Sequence, residues 1–437
     1  MHFSRLSAVA LVSLVSAAPL EKREIGYGNR ADYAAAWNAQ ATASTYAPAP
    51  GQGQYGYPTP GVPAPAPVPS YGAAPPSYSA PSGGYNPAPP AGTPAAGGSS
   101  GSGAVTFPLL NGFPNIDNPS AALSAINQQA HGTLPNGPPP ASVQPDDVTS
   151  FRLIAFNEIF ETFYFTELVQ NITNNVPGYE FQDQGLKKQV LDALTAIVAQ
   201  EELHTLNANG LLKKLNAGPI QPCQYKAPVS DFKSAITLAM TFTDVVLGTL
   251  QDVATKLGLN GDGNAIRGVV SVVGQEGEQV GYFRSLLGKI PSELPFLSQS
   301  SREFAFSALN QNFVVPGTCP NINTIGLPVF GALNVLTPNI AAQDSNIQFS
   351  FAPSNGVNSA DGLSLVYINQ QNKPIVQAIT GAQNQGGQIT FSAPFPYTAN
   401  VMNGLTIAAV TRGAGPFTNV DDVAKAALYG PGLIEIN

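Results

Sequence analysis

Residues 200–212 read QEELHTLNANGLL, and residues 275–287 read QEGEQVGYFRSLL. Laid over each other without gaps, they place Gln200 on Gln275, Glu201 on Glu276, His204 on Gln279 and Leu211-Leu212 on Leu286-Leu287. The flanks of both stretches carry apolar residues at three- and four-residue spacing. Leu191, Leu194, Val198, Ala208 and Leu211 surround the first, and Ile266, Val269, Val273, Phe283 and Leu286 surround the second. That period belongs to a helix with one buried stripe. Two more such stretches stand upstream, one before each repeat. One carries Phe151, Ile154, Phe165 and Leu168, the other Ile236, Ala239, Val246, Leu250 and Val253. The helices are expected near 146–173, 184–214, 229–257 and 262–288. Val176-Pro177-Gly178, Ala217-Gly218-Pro219, Gly258 to Gly263 and Gly288 to Pro291 punctuate them. Four amphipathic helices, each with a single apolar stripe, bury those stripes against one another as a four-helix bundle, here assigned to residues 146–315.

The stripes are interrupted by acids. Glu201 continues the row of Leu194 and Val198, with His204 three residues on, and Glu276 is in register with Val269, Val273 and Phe283. Glu158 falls between Ile154 and Phe165, followed by Glu161. A lone carboxylate on an apolar face costs several kcal/mol unless it is paired, protonated or bound to a cation. Three interruptions near mid-helix therefore point to one shared polar cluster.

The order and spacing of Glu158-Ile159-Phe160-Glu161-Thr162-Phe163-Tyr164, of Glu201 to His204, and of Thr243-Asp244-Val245-Val246-Leu247-Gly248 resemble the ferritin-like domain of secreted fungal proteins of the stress-response and late-sexual-development type. The resemblance implies a pseudo-twofold bundle in which each half offers one Glu and one Glu-x-x-His to a pair of metal ions. Carried over residue by residue, the ligands are Glu158, with Glu161 as neighbour, then Glu201 and His204, then Glu276 and Gln279. The third-helix Glu is replaced by Thr243, and Asp244 beside it points elsewhere. Two of the expected ligands are thus neutral substitutes. Three carboxylates and one imidazole suffice for one iron or manganese ion, whereas a two-metal centre is compromised. The expectation is a site without resident metal, with a single ion as the alternative.

Outside the bundle the chain changes character twice. Met1 to about Ala18 has a basic start, a short apolar run and Ser16-Ala17-Ala18, the layout of a cleaved export signal. Lys22-Arg23 then closes a short propeptide, 19–23, at a dibasic processing site. Residues 24–145 are expected to form a disordered arm with one short helix near 32–43. Tyr33 to Ile116 contains no Asp, Glu, Lys or Arg and is built of Pro, Ala, Gly, Ser and Tyr. From 316 to 437 the period becomes two, as in Gln348–Phe351, Leu363–Tyr367, Gln388–Phe391 and Leu405–Ile407, which predicts a small all-β, sandwich-like domain.

The balance of 27 acids against 19 bases, without a basic stripe, argues against a nucleic-acid partner. No later stretch reads as a membrane span. The only cysteines, Cys223 and Cys319, lack metal-type spacing and are expected to form a disulfide. Asn171-Ile172-Thr173 is a glycosylation sequon. Together these features predict a secreted or cell-wall-associated, non-enzymatic ferritin-like protein, monomeric or dimeric. Wall polysaccharide and other wall proteins are the candidate partners of its arm. The alternatives are a metal-binding oxidoreductase or metal store, and a small-ligand carrier that uses the bundle interior.

Overall fold

The computed structural model of the 437-residue chain describes residues 105–354 and 356–436. The expected export signal, the Lys22-Arg23 pair, the helix expected near 32–43 and the expected arm as far as residue 104 lie outside the described residues.

Four long helices form the frame: α2 (Pro145–Thr173), α3 (Gln184–Lys214), α4 (Phe232–Asn260) and α5 (Ile266–Leu286). Their ends follow local chemistry. Helix α2 begins with Pro145 in its first turn, where a missing N–H costs nothing, and Asp146 and Asp147 follow at its positive end. The Asp183 side chain caps α3 by accepting from the backbone N–H groups of Gly185 and Leu186. Asp231 and Ser234 form a reciprocal capping box on α4, and Gly261 ends that helix in the left-handed region at φ 85°. Helix α4 is long and apolar enough to cross a bilayer, yet Ile236, Ala239, Met240, Val253 and Leu257 are fully buried within the protein.

Residues 105–144, expected as the C-terminal part of the arm, are ordered elements of the protein. Among them, α1 (Ala121–Gln129) packs Leu123 and Ile126 against Ala199 and Leu203 of α3. Composition hides this helix because it needs only two buried residues on a surface that α3 supplies.

The C-terminal region is a β-sandwich. One antiparallel sheet has the order β1-β2-β6-β5, built from Asn334–Val335, Ser345–Phe351, Gln388–Phe395 and Thr380–Gln385. The other has the order β4-β3-β7-β8, from Ile375–Ala378, Leu363–Asn369, Gly404–Arg412 and Ala427–Ile436. Phe349, Phe351 and Phe391 of the first sheet meet Leu365, Tyr367 and Val410 of the second. The alternate residues of β3 and β7, namely Val366, Ile368, Leu405, Ile407 and Ala409, face the bundle and join its core. Five buried apolar side chains represent on the order of 10 kcal/mol of gross burial, so this face is not one that could be left in water. The sandwich docks on the bundle rather than hanging from it.

Helix α6 (Arg302–Asn312) and the segment before it join the two layers. Arg302 donates to the Asp146 and Ser150 side chains at 2.8 and 2.9 Å. The Ser298 hydroxyl donates to the Leu405 carbonyl oxygen and accepts from the Gln370 N–H. The chain passes so close to α4 here that a Cβ on Gly248 would lie 2.6 Å from the Ser298 carbonyl oxygen and 2.7 Å from the Ser300 nitrogen. Cys223, between α3 and α4, is disulfide-bonded to Cys319 beyond α6. Asn171 is half-buried in the last turn of α2. Two further short helices, α7 (Tyr397–Asn400) and α8 (Val420–Ala426), flank β7.

Candidate metal centre

Helices α2, α3 and α5 bring Glu158, Glu201, His204 and Glu276 together at mid-length. One potential ligand atom from each lies within 4.8 Å of the other three. Oxygen or nitrogen donors at about 2.0–2.2 Å from a common ion stand at most about 4.4 Å apart, so small side-chain rotations would close the group on one cation. The three carboxylates are all but completely buried.

The polar contacts are unequal. His204 Nδ1 is 2.8 Å from Glu201 Oε2 and 3.4 Å from Glu158 Oε2. Gln279 Nε2 donates to Glu201 Oε1 at 2.5 Å. Asn157 Nδ2 donates to Glu161 Oε1 at 2.9 Å. Both carboxyl oxygens of Glu276, and Oε2 of Glu161, have no hydrogen-bond partner among the described residues.

Protonation follows from these distances. Burial works to raise Glu201, but the adjacent His204 charge and three hydrogen bonds outweigh it and hold that carboxyl below its usual range. Burial pushes Glu158 up to about 7 against the pull of His204. Burial, then the neighbouring carboxylates, push Glu161 and Glu276 well above the ordinary range. Burial would lower His204, yet Glu201 and Glu158 raise it well above the usual imidazole value. Without a cation the cluster is therefore an imidazolium–carboxylate pair beside neutral Glu161 and Glu276, with Glu158 changing charge near neutrality.

Of the six residues nominated from the sequence, four converge and Glu161 stands beside them. Gln279 joins them through its amide: Nε2 donates to Glu201, and its buried Oε1 has no hydrogen-bond partner among the described residues. Helix α4 adds no acid to the group. Thr243 is fully buried with an unpartnered hydroxyl. Asp244 lies in a separate buried group with Glu293 and Glu435, near Arg284. Asn157 is a site residue that sequence reading missed, because a polar residue beside Glu158 looks like an ordinary solvent-facing position.

Four long helices with carboxylates and an imidazole projecting into the centre define a ferritin-like domain. Residues 147–289, from the first turn of α2 to just past α5, match the family model of the ferritin-like domain. No curated protein matches the chain.

Proposed function

We propose that this is an exported ferritin-like protein whose bundle binds a single iron or manganese ion through Glu158, Glu201, His204 and Glu276, without dimetal oxygen chemistry. The observation that carries this reading is the buried Glu276 carboxyl, which is aimed into the cluster with both oxygens unpartnered. A buried polar group is ordinarily paired, and a hard cation would pair this one. Such an ion would supply Lewis acidity or one-electron exchange. The protein's own part is to fix the donors: Gln279 orients Glu201, while Asn157 holds Glu161 beside the group. The neutral Thr243 and Gln279 support one ion rather than two, because a second would lack anionic donors.

The leader at 1–18, the Lys22-Arg23 pair and the Cys223–Cys319 disulfide support secretion, with glycosylation at Asn171 and the tyrosine-rich arm directed to cell-wall polysaccharide or wall proteins. Resemblance supports a role in fungal stress response or sexual development.

Thermal unfolding tests the proposal. Manganese at a hundredfold excess over its dissociation constant should stabilise the folded chain by about 2.7 kcal/mol and leave a Glu276→Ala variant unmoved. An equal shift in both proteins would remove the cluster as the binding site. No shift in either would favour a bundle that keeps the frame without the ion.

A further inference from the structure

Between α2, α3 and α5, beneath the segment 114–140, lies a cavity of about 980 Å³, at the upper end of the range that takes small organic ligands. Glu158 and His204 form its inner end, and Phe151, Ile154, Leu211 and Val269 are among its apolar walls. Lys213, Arg267 and Asp117 are the charged residues at its exposed rim, and neither cation has an ion-pair or hydrogen-bond partner among the described residues. Nine residues separate His204 from Lys213 along α3, about 13.5 Å at 1.5 Å per residue. The rim also carries a glycine on each facing helix, Gly210 on α3 and Gly268 on α5, and a Cβ at either would meet nothing within 4 Å. Glycine weakens a helix interior, and here it leaves the mouth wide.

We propose that this cavity binds a long-chain fatty acid, its carboxylate at Lys213 and Arg267 and its alkyl chain running inward along Leu211 and Val269 toward His204. The charge distribution selects that class and that direction. An anionic head at the inner end would meet Glu158 with no free cation to pair it, because His204 is already engaged by Glu201 and Glu158, and a cationic head would face two cations against the single Asp117 at the rim. A wholly apolar molecule would leave the two rim cations unused. The apolar walls reward chain length, at about fourfold in affinity per methylene, until the cavity is filled. The binding does not rest on a metal in the cluster.

The test is calorimetric titration of the full secreted chain, delipidated and stripped of metal, with octanoate, dodecanoate and hexadecanoate, and with the alcohols of the same lengths. One saturable site is expected, with affinity rising from octanoate to dodecanoate and each acid bound about tenfold tighter than its alcohol. A Lys213→Glu, Arg267→Glu variant, altered only at exposed positions, should bind the acids about tenfold more weakly and lose the preference over alcohols. A Gly210→Phe, Gly268→Phe variant, with a native circular dichroism spectrum, should bind neither. Absence of saturable binding to the wild type would overturn the proposal. So would equal affinity for acids and alcohols, or undiminished binding with both glycines replaced. Binding that appears only after metal is added would overturn the head-outward pose.

Discussion

Gln275 donates its side-chain amide to the side-chain oxygen of Gln200 at 2.9 Å. The two occupy equivalent places in the repeated sequence, on α5 and α3. A contact between equivalent positions is what an axis of twofold symmetry produces, so the duplication seen in the sequence is a spatial relationship in the bundle. Glu201 and Glu276, next in the repeat, meet in the cluster.

The glutamine pair should be energetically coupled. A double-mutant cycle with Gln200→Ala and Gln275→Ala, read by denaturant unfolding, is expected to give a coupling of about 0.5–1.5 kcal/mol, the range for a neutral hydrogen bond. A coupling near zero would mean that the pair is held apart by water.

Gly248 ends the third-helix motif Thr243–Gly248, and its role is steric. Gly248→Ala would force the methyl into the backbone of Ser298 and Ser300, so a loss of about 1–3 kcal/mol is expected. Gly210→Ala, facing open space in mid-helix, should instead stabilise by about 0.5–1 kcal/mol. Thermal denaturation of the two variants distinguishes these outcomes by sign.

Most of the bundle was legible because helix periodicity persists over long stretches. The four helices lie within a few residues of their expected bounds, and Gly261 and Pro145 mark ends that sequence punctuation announces. The strands were legible where one face is apolar. Strand β5, Thr380–Gln385, is exposed throughout and carries no alternation to read. Strand β8 is buried but contains Gly430-Pro431, which looks like a turn. The docking of the sandwich was hidden for a different reason. The apolar run Leu365–Ile368 of β3 is compatible with any strand buried on both faces, and nothing local says what covers the second face. At the site, spacing identified the acids but not the donor role of Gln279, which depends on the distance between α3 and α5.

Stability should fall as pH rises from about 4 to about 6. Burial, then a hydrogen bond and like charge from Asp262, raise Asp147 to about 6. A carboxyl with a raised folded value binds more protons folded than unfolded in that window. It therefore favours folding below the unfolded value and loses that advantage as pH climbs through the folded one. After discounting for solvent screening, on the order of 1 kcal/mol is expected from this group. Asp147→Asn, whose amide can donate to Asp262, should flatten that part of the profile. Unfolding curves at pH 4, 5, 6 and 7 would show an unchanged slope if the pair is not responsible.

The disulfide closes a loop across 96 positions, linking the α3–α4 connection to the strand-bearing region. Replacing Cys223 and Cys319 together by Ala should cost about 2–5 kcal/mol, visible as a lower denaturation midpoint in wild-type protein treated with reductant as well as in the variant. A midpoint unchanged by both would mean that the sandwich's docking alone fixes this junction.

The most direct test of a single-ion bundle is elemental analysis of the full-length protein purified without chelator, beside a Glu201→Ala, His204→Ala variant of native circular dichroism. About one equivalent of iron or manganese in the wild type and none in the variant is the expected result. No metal in either protein, two equivalents in the wild type, or equal loading of both would contradict it.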